Sequence, residues 1–591
     1  MHHRAVTPIV TGLTGDTFEK ARTHVSPPAR AHLLPRMGQP MRRLLTVLAA
    51  GAPLAASVYL PSAAAAPLGN SGAPRAACVA PSVKAPAGAE VESVTAARRP
   101  GGTVHGSGVL GGTVTGVPAY CEVTVTLTHP GADDHAKVRT WLPAAGWNGR
   151  FQAFGGSGYA AGDNGVGLAT AVKNGYAATT TDAGVGDVLD VGWGLRADGR
   201  VNTALLKNFA SRSQHEAAVV GKRSVAAVYG RRAAFSYFNG CSTGGRQGYM
   251  EAQRHPDDYD GILANAPAVH WDEFEVATLW PQVVMNNEKT YPSSCTFKAF
   301  TDAAVKACDP RDGVEDGLVN DAARCDFDPR RLIGTKVLCD GRELTVTAAD
   351  AAVVRKIWDG PRTASGKKLW PGVPVGADLT GLAAVTEPDA HGNVKGEPFP
   401  VPRHWVATWV KKQPSYDVAT ITYDRFTRLF RQSQAEYDKV IGTDDPDLSA
   451  FRKSGGKLLS WHGQADQFIP VQGTVEYREQ VERTMGGAER VDDFHRLFLA
   501  PGTTHCGLNK GNGATDDLGA LRTWVERGKA PDVLPATLVN AQGRSVTRDL
   551  CAYPQVSRYR GHGDPDEASS FRCEPPRTGQ ADGVPGPSSS S

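Results

Sequence analysis

The sequence predicts an α/β fold, a mostly parallel sheet flanked by helices and interrupted by one large insertion. Three observations predict it. Strand-like and helix-like segments alternate within residues 67–267 and again within residues 456–577. Between them, residues 268–455 mix Pro, Gly, Trp and charge without that alternation. Finally, the pentapeptide Gly240-Cys241-Ser242-Thr243-Gly244 directly follows a strand-like run over residues 233–238 and precedes a helical stretch over residues 246–254. A Gly-x-Ser-x-Gly turn in that setting lifts a serine hydroxyl above the end of a sheet.

Residues 1–66 fall outside this fold. Met41-Arg42-Arg43 leads into an apolar stretch over residues 44–60 and then Ser62-Ala63-Ala64-Ala65-Ala66, the basic, apolar and small-residue succession of a secretory signal peptide. Paired arginines are also compatible with twin-arginine export. Gly51, Pro53 and the many alanines make the stretch a poor membrane anchor. Residues before Met37 carry no periodicity and are expected to be an upstream extension from a misassigned start. The mature chain is expected to be exported and free of the membrane. Over the full 591 residues, 41% hydrophobic and 21% charged residues are ordinary for a globular protein, and a net charge of +3 without a basic run argues against a nucleic-acid partner. Ten cysteines with no Cys-x-x-Cys pair predict disulfides rather than zinc ribbons or thioredoxin-like redox chemistry.

Residues 82–118, rich in Gly, Ala, Val and Thr, predict short strands and turns. Residues 120–127 alternate with period two, and residues 138–143 predict the next strand. Trp147-Asn148-Gly149-Arg150 is a turn, from which residues 151–154 enter the glycine cluster Gly155-Gly156-Ser157-Gly158. A strand is predicted over residues 176–182, a helix over residues 202–229, and a strand over residues 259–265. After the insertion, which is read as a lid, strands are predicted over residues 457–463 and 496–499, with helices around residues 471–485 and 516–527. The last helix stops at Gly528, with Pro531 beyond, as a C-cap requires. The tail over residues 578–591, ending in serines, is expected to be disordered.

A serine hydroxyl is a poor nucleophile at neutral pH. It needs a histidine to take its proton and a carboxylate to hold that histidine's tautomer. On a sheet of this kind the three arrive in the order Ser, acid, His, at the carboxyl ends of strands. Asp466 follows the predicted strand over residues 457–463, and His505 follows the one over residues 496–499 across Pro501-Gly502-Thr503-Thr504. An aspartate in such a loop is more often a turn former, and exported proteins carry many loop histidines. With Ser242 in the right order, however, the catalytic reading prevails. His462 and His495 are rivals for the base, His462 being better suited to bracing its loop. Cys241 and Cys506 each adjoin one of the proposed residues, so a bond between them would draw Ser242 and His505 together.

Several segments resemble the tannase and feruloyl esterase family of α/β-hydrolases. These are Phe238-Asn239-Gly240-Cys241-Ser242-Thr243-Gly244-Gly245-Arg246-Gln247-Gly248, Tyr259-Asp260-Gly261-Ile262 and Pro501-Gly502-Thr503-Thr504-His505-Cys506, together with Trp147-Asn148-Gly149-Arg150-Phe151 and Trp524-Val525-Glu526-Arg527-Gly528. The resemblance implies an α/β-hydrolase core with a lid and a secreted serine carboxylesterase acting on a small-molecule or polysaccharide-linked ester of an aromatic acid, hydroxycinnamic or gallic. The catalytic set would be Ser242, Asp466 and His505. The oxyanion would be received by the backbone N–H of Thr243 and, by resemblance, that of Gly158. The family also contains a mono(2-hydroxyethyl) terephthalate hydrolase, but no match to its ring- and carboxylate-binding residues can be placed here.

Cys308-Asp309-Pro310-Arg311-Asp312-Gly313-Val314-Glu315-Asp316-Gly317-Leu318 reads on its own as a solvated acidic turn, and its spacing is not that of an EF-hand. The resemblance makes it a structural calcium loop, with the side chains of Asp309, Asp312 and Asp316 and the carbonyls of Val314 and Leu318 as ligands; it implies no organic cofactor. It also implies the pairs Cys78–Cys121, Cys308–Cys325 and Cys551–Cys573. Cys339 matches half of a further lid pair whose usual partner position falls near Glu343, and Cys295 is the alternative partner. Phe468, just after Asp466, is a candidate pocket wall, as are the lid aromatics Trp271, Phe274, Trp280, Trp405, Trp409 and Tyr423, each of which is more often core than pocket. The rival readings are a noncatalytic binding protein on a hydrolase fold and a peptidase.

Overall fold

A computed structural model of the chain describes residues 78–108, 111–389, 391, 393–508 and 513–576; the expected signal peptide and the expected disordered tail lie outside them. Buried apolar runs bounded by turns build the central sheet. Its strands are β1 (Glu90–Arg99), β2 (Tyr120–Thr128), β3 (Ala136–Pro143), β4 (Arg150–Ser157), β5 (Ala177–Thr181), β6 (Phe235–Cys241), β7 (Gly261–Asn265), β8 (Lys457–Gly463) and β9 (His495–Ala500). They lie in the order β1-β2-β3-β5-β4-β6-β7-β8-β9, and a short strand, Ala160–Gly162, pairs beside β4. The run from β5 to β9 is parallel, while β1, β2 and β3 form an antiparallel edge. Strands β7 and β8 are covered on both faces, so they read as near-continuous apolar stretches rather than alternating ones. This is the α/β-hydrolase architecture that the resemblance implies.

The helix expected over residues 202–229 is interrupted. A short helix Thr203–Lys207 passes through a π-helical turn, Asn208–Arg212, into α1 (Ser213–Tyr229). At the turn Asn208 points inward and donates to Asp134 and to the Ala183 carbonyl, polar contacts that hydrophobic spacing does not register. After β6 the chain turns at Ser242 into α2 (Thr243–Arg254).

Between β7 and β8 the chain leaves the sheet and returns as the lid, which is mainly helical: Trp271–Ala277, Trp280–Glu288, Ser294–Cys308, Ala348–Asp359 and Tyr423–Ile441 are its longer helices. Caps define their starts: Ser293 accepts the Thr296 N–H, and Thr347 forms a reciprocal capping box with Asp350. Trp271, Trp405 and Trp409 are buried in the lid core, where Tyr159 from the sheet domain stacks on Trp409 and donates to the Val401 carbonyl at 2.9 Å.

Helix α3 (Asp517–Arg527) is capped by Asp516 and ends at Gly528, whose φ of 68° is the left-handed conformation that a C-cap glycine supplies. Beyond it lie two antiparallel hairpins that sequence reading did not resolve, Val533–Val539 with Ser545–Cys551 and Val556–Tyr559 with Phe571–Glu574. The disulfides are Cys78–Cys121, Cys241–Cys506, Cys295–Cys339, Cys308–Cys325 and Cys551–Cys573. Cys295 is thus the partner of Cys339. Among the described residues no helix is long and apolar enough to cross a membrane.

Candidate active site

Ser242 sits between β6 and α2 with φ 65° and ψ −124°, a conformation that costs a non-glycine residue energy and that a nucleophile turn imposes. Small neighbours make the turn possible. A Cβ on Gly240 would come within 2.5 Å of the Gly244 backbone, and one on Gly245 within 2.2 Å of the Asn265 carbonyl oxygen. The Ser242 N–H donates to that same Asn265 carbonyl, tying the turn to β7.

Asp466 and His505 follow β8 and β9, so all three proposed residues lie at carboxyl ends of parallel strands. His505 Nδ1 is 2.8 Å from Asp466 Oδ2, while Asp466 Oδ1 accepts the N–H groups of Phe468 and Ile469. His462 reaches the same Oδ2 at 3.1 Å, and its Nδ1 is 2.9 Å from Thr474 Oγ1. Complete burial pushes the Asp466 carboxyl up, but the charge of His505 and the hydrogen bonds from both histidines outweigh it and hold the group below the usual carboxylate range. His462 therefore braces the acid, and His495 lies buried against Tyr249.

Ser242 and His505 line one cavity of about 480 Å³, together with Cys241, Cys506 and the glycine cluster. Their chain neighbours are joined by the Cys241–Cys506 disulfide, with Cα atoms 6.1 Å apart, and Cys506 Sγ lies 3.6 Å from His505 Nε2. Among the described residues the Ser242 hydroxyl has no hydrogen-bond partner, a common state of an unliganded serine–histidine pair that tightens when substrate binds. The Thr243 hydroxyl donates to the Gly158 carbonyl at 2.7 Å, which brings the two proposed oxyanion residues side by side. Gly158 has φ 54°, and a Cβ there would meet the Val188 carbonyl at 2.5 Å.

Phe468 stands edge-on to the His505 ring at 5.6 Å and stacks on Phe399 of the lid at 4.6 Å, but it does not border the Ser242 cavity. The lid aromatics Trp271, Phe274, Trp405 and Trp409 are core, and Trp280 and Tyr423 line a separate cavity, so none of the six borders the Ser242 cavity. The walls come instead from Asp163, Asn164, Asp182, Asp187, Val188 and Leu508. Sequence reading missed these, although Asp182 directly ends β5 and the strand-end rule that picks out Asp466 applies to it equally. Gln467, which accepts the His505 N–H at 3.1 Å, was also missed.

In the acidic lid loop, Asp309, Asp312 and Asp316 are buried rather than solvated. Asp309 accepts the N–H groups of Asp316 and Gly317, Asp312 accepts from Val314 and Asn320, and Asp316 pairs with the buried Arg548. The carboxylates are thus turned onto amides and a guanidinium instead of converging on one point. Asn320 Oδ1 is nonetheless buried without a partner beside Asp312, and burial raises Asp312 to about 6 and Asp316 to about 7. An orphaned oxygen among three buried carboxylates fits a hard cation.

The family model for tannase and feruloyl esterase matches residues 121–574. A probable feruloyl esterase of Arthroderma benhamiae is 50% identical over 462 residues, covering 77% of this chain and 85% of its own length. A tannase of Aspergillus oryzae is 27% identical over 82% of this chain and 92% of its own. Among solved structures, the tannin acyl hydrolase of Aspergillus niger matches with a TM-score of 0.74 and 27% identity, over 83% of this chain and 92% of that one.

Proposed function

The chain belongs to the tannase and feruloyl esterase family and is a carboxylic ester hydrolase, and from that premise we propose an exported serine esterase that cleaves esters of hydroxycinnamic or gallic acids, free or polysaccharide-linked. The observation that carries the reading is the strained Ser242 sharing one cavity with a His505 whose Nδ1 lies 2.8 Å from buried Asp466. Ser242 Oγ adds to the ester carbonyl while His505 Nε2 takes its proton, and the oxyanion rests on the N–H groups of Thr243 and Gly158. His505 then protonates the departing alcohol, and the acyl-enzyme forms. The same imidazole takes a proton from water, which attacks the acyl carbon and releases the acid and Ser242. Phe468 packs edge-on against the base and holds its ring in place.

Disulfide richness supports export, since such bonds persist in oxidising compartments. A structural Ca²⁺ would be held by Asp309, Asp312, Asp316, Val314 and Leu318, where it would neutralise buried carboxylates and brace the lid. No organic cofactor enters the reaction. Replacing Ser242 with Ala tests the assignment: release of ferulate from methyl ferulate and of gallate from methyl gallate is expected to vanish, as is labelling by a phosphonate probe. Unchanged turnover by the folded variant would remove Ser242 from the mechanism.

A further inference from the structure

Helix α2 starts at the nucleophile turn and runs for 12 residues. Its far end, about 18 Å away at 1.5 Å per residue, meets a second cluster of chemistry-bearing side chains. His255 follows the last turn of α2 and stacks on His215 of α1, with ring centroids 4.2 Å apart and planes 15° apart. His215 Nδ1 is 2.6 Å from Asp258 Oδ2. One ligand atom from each of His215, His255 and Asp258 falls within 4.8 Å of the others, a spacing that no other such group among the described residues meets. None of the three borders the Ser242 cavity.

A further buried carboxyl stands beside the three side chains. Glu251, one turn before His255, is fully buried, and neither of its oxygens has a hydrogen-bond partner. Burial and the nearby charge of Asp258 push the Glu251 carboxyl well above the usual carboxylate range. The near cations are Lys222, which donates to the Asp258 carbonyl and lies over the Tyr259 ring, and Arg254, the chain neighbour of His255. The C-terminal end of α2 adds the negative pole of its helix dipole. Access exists, because the His215 side chain is 36% exposed and that of Asp258 13%. Two imidazoles and a carboxylate form a borderline-soft donor set, suited to zinc and its neighbours rather than to calcium. Turning His215 away from Asp258 would free both ligand atoms for one ion.

We propose that His215, His255 and Asp258, backed by the unpartnered Glu251, form a structural site for a divalent ion of the zinc type that clamps the end of α2 to α1. The site is independent of the ester chemistry and does not rest on it.

Titrating the untagged, calcium-saturated protein with Co²⁺ tests the site. One equivalent is expected to bind with visible d–d absorption, Zn²⁺ is expected to displace it, and either ion is expected to raise the melting temperature. His215→Ala and His255→Ala are each expected to weaken Co²⁺ binding by at least about tenfold. Ester turnover of the metal-free variants should match that of the metal-free parent. Asp258→Asn, which preserves a hydrogen bond to His215, serves as the variant least disturbing to the fold and should show the same loss. Absence of a saturable Co²⁺ site in the parent would overturn the proposal, as would a site of undiminished affinity in folded His215→Ala, His255→Ala or Asp258→Asn protein.

Discussion

Cys241 and Cys506 are bonded across 265 residues of sequence, and each is the chain neighbour of one member of the Ser242–His505 pair. In chain-entropy terms a loop of that size is worth roughly 5.5 kcal/mol, but its chemical effect is positional. A displacement of one ångström between nucleophile and base costs about a hundredfold in rate. The paired replacement Cys241→Ser with Cys506→Ser is therefore expected to lower kcat on methyl ferulate by about that factor, with KM changing far less. Steady-state kinetics on protein of verified fold decides it, and a parental kcat would remove the positional role.

What the sequence made legible follows from how local each signal is. Ser242, Asp466 and His505 all sit directly after buried strands, so periodicity followed by a turn placed them at strand ends, and the order Ser, acid, His singled them out as candidates. The cavity wall was not legible, because Asp163, Asp187 and Leu508 meet only through the fold. The lid resisted for a related reason. Trp271 and Trp409 are brought together from segments far apart in sequence, with Tyr159 of the sheet domain between them, and no short-range spacing encodes that packing. The Trp147–Phe151 and Trp524–Gly528 motifs were visible separately, but not the contact between Arg150 and Glu526 that joins them.

Asp466 Oδ2 receives His462 as well as His505, so His462→Phe should disturb the acid without touching the serine or the base. The Asp466 carboxyl lies below its ordinary 3.8 in the folded protein. A depressed carboxylate stabilises the fold fully above that ordinary value, and the contribution is lost as pH falls through the depressed one. Removing His462 moves the folded value upward, so acid unfolding should begin at higher pH in the variant. The activity at neutral pH should fall by about tenfold. Acid titration followed by circular dichroism, alongside a pH–rate profile, checks both, and an unchanged acid midpoint would make His462 mere packing.

Calcium removal should act on the lid rather than on the chemistry. The loop bearing Asp309, Asp312 and Asp316 is tied through Arg548 to the C-terminal hairpin. A chelator is expected to lower the melting temperature, and added Ca²⁺ to restore it, while Asp312→Asn should abolish the response. Phosphonate labelling of Ser242 should survive chelation below the new melting temperature. A melting curve indifferent to chelator would leave the loop held by Arg548 and its own amides.

Arg150 grips Glu526 with two bonds, both 2.6 Å, and Tyr237 donates to the same carboxylate at 2.7 Å, with both charged side chains only 15% exposed. Such a pair contributes little net stability compared with an apolar substitute, yet breaking one side leaves an uncompensated charge indoors. Arg150→Met should therefore cost about 3 kcal/mol. Glu526→Gln should cost less, because its neutral amide can still accept from Tyr237. Combining the two removes the stranded carboxylate, so the double variant should be more stable than the sum of the single losses predicts, with a coupling of roughly 1–3 kcal/mol. Urea unfolding of the four proteins at neutral pH measures that coupling. Strict additivity would mean that the link between the Arg150 turn and α3 is geometric only, and that the sheet and helix hold their places through apolar packing alone.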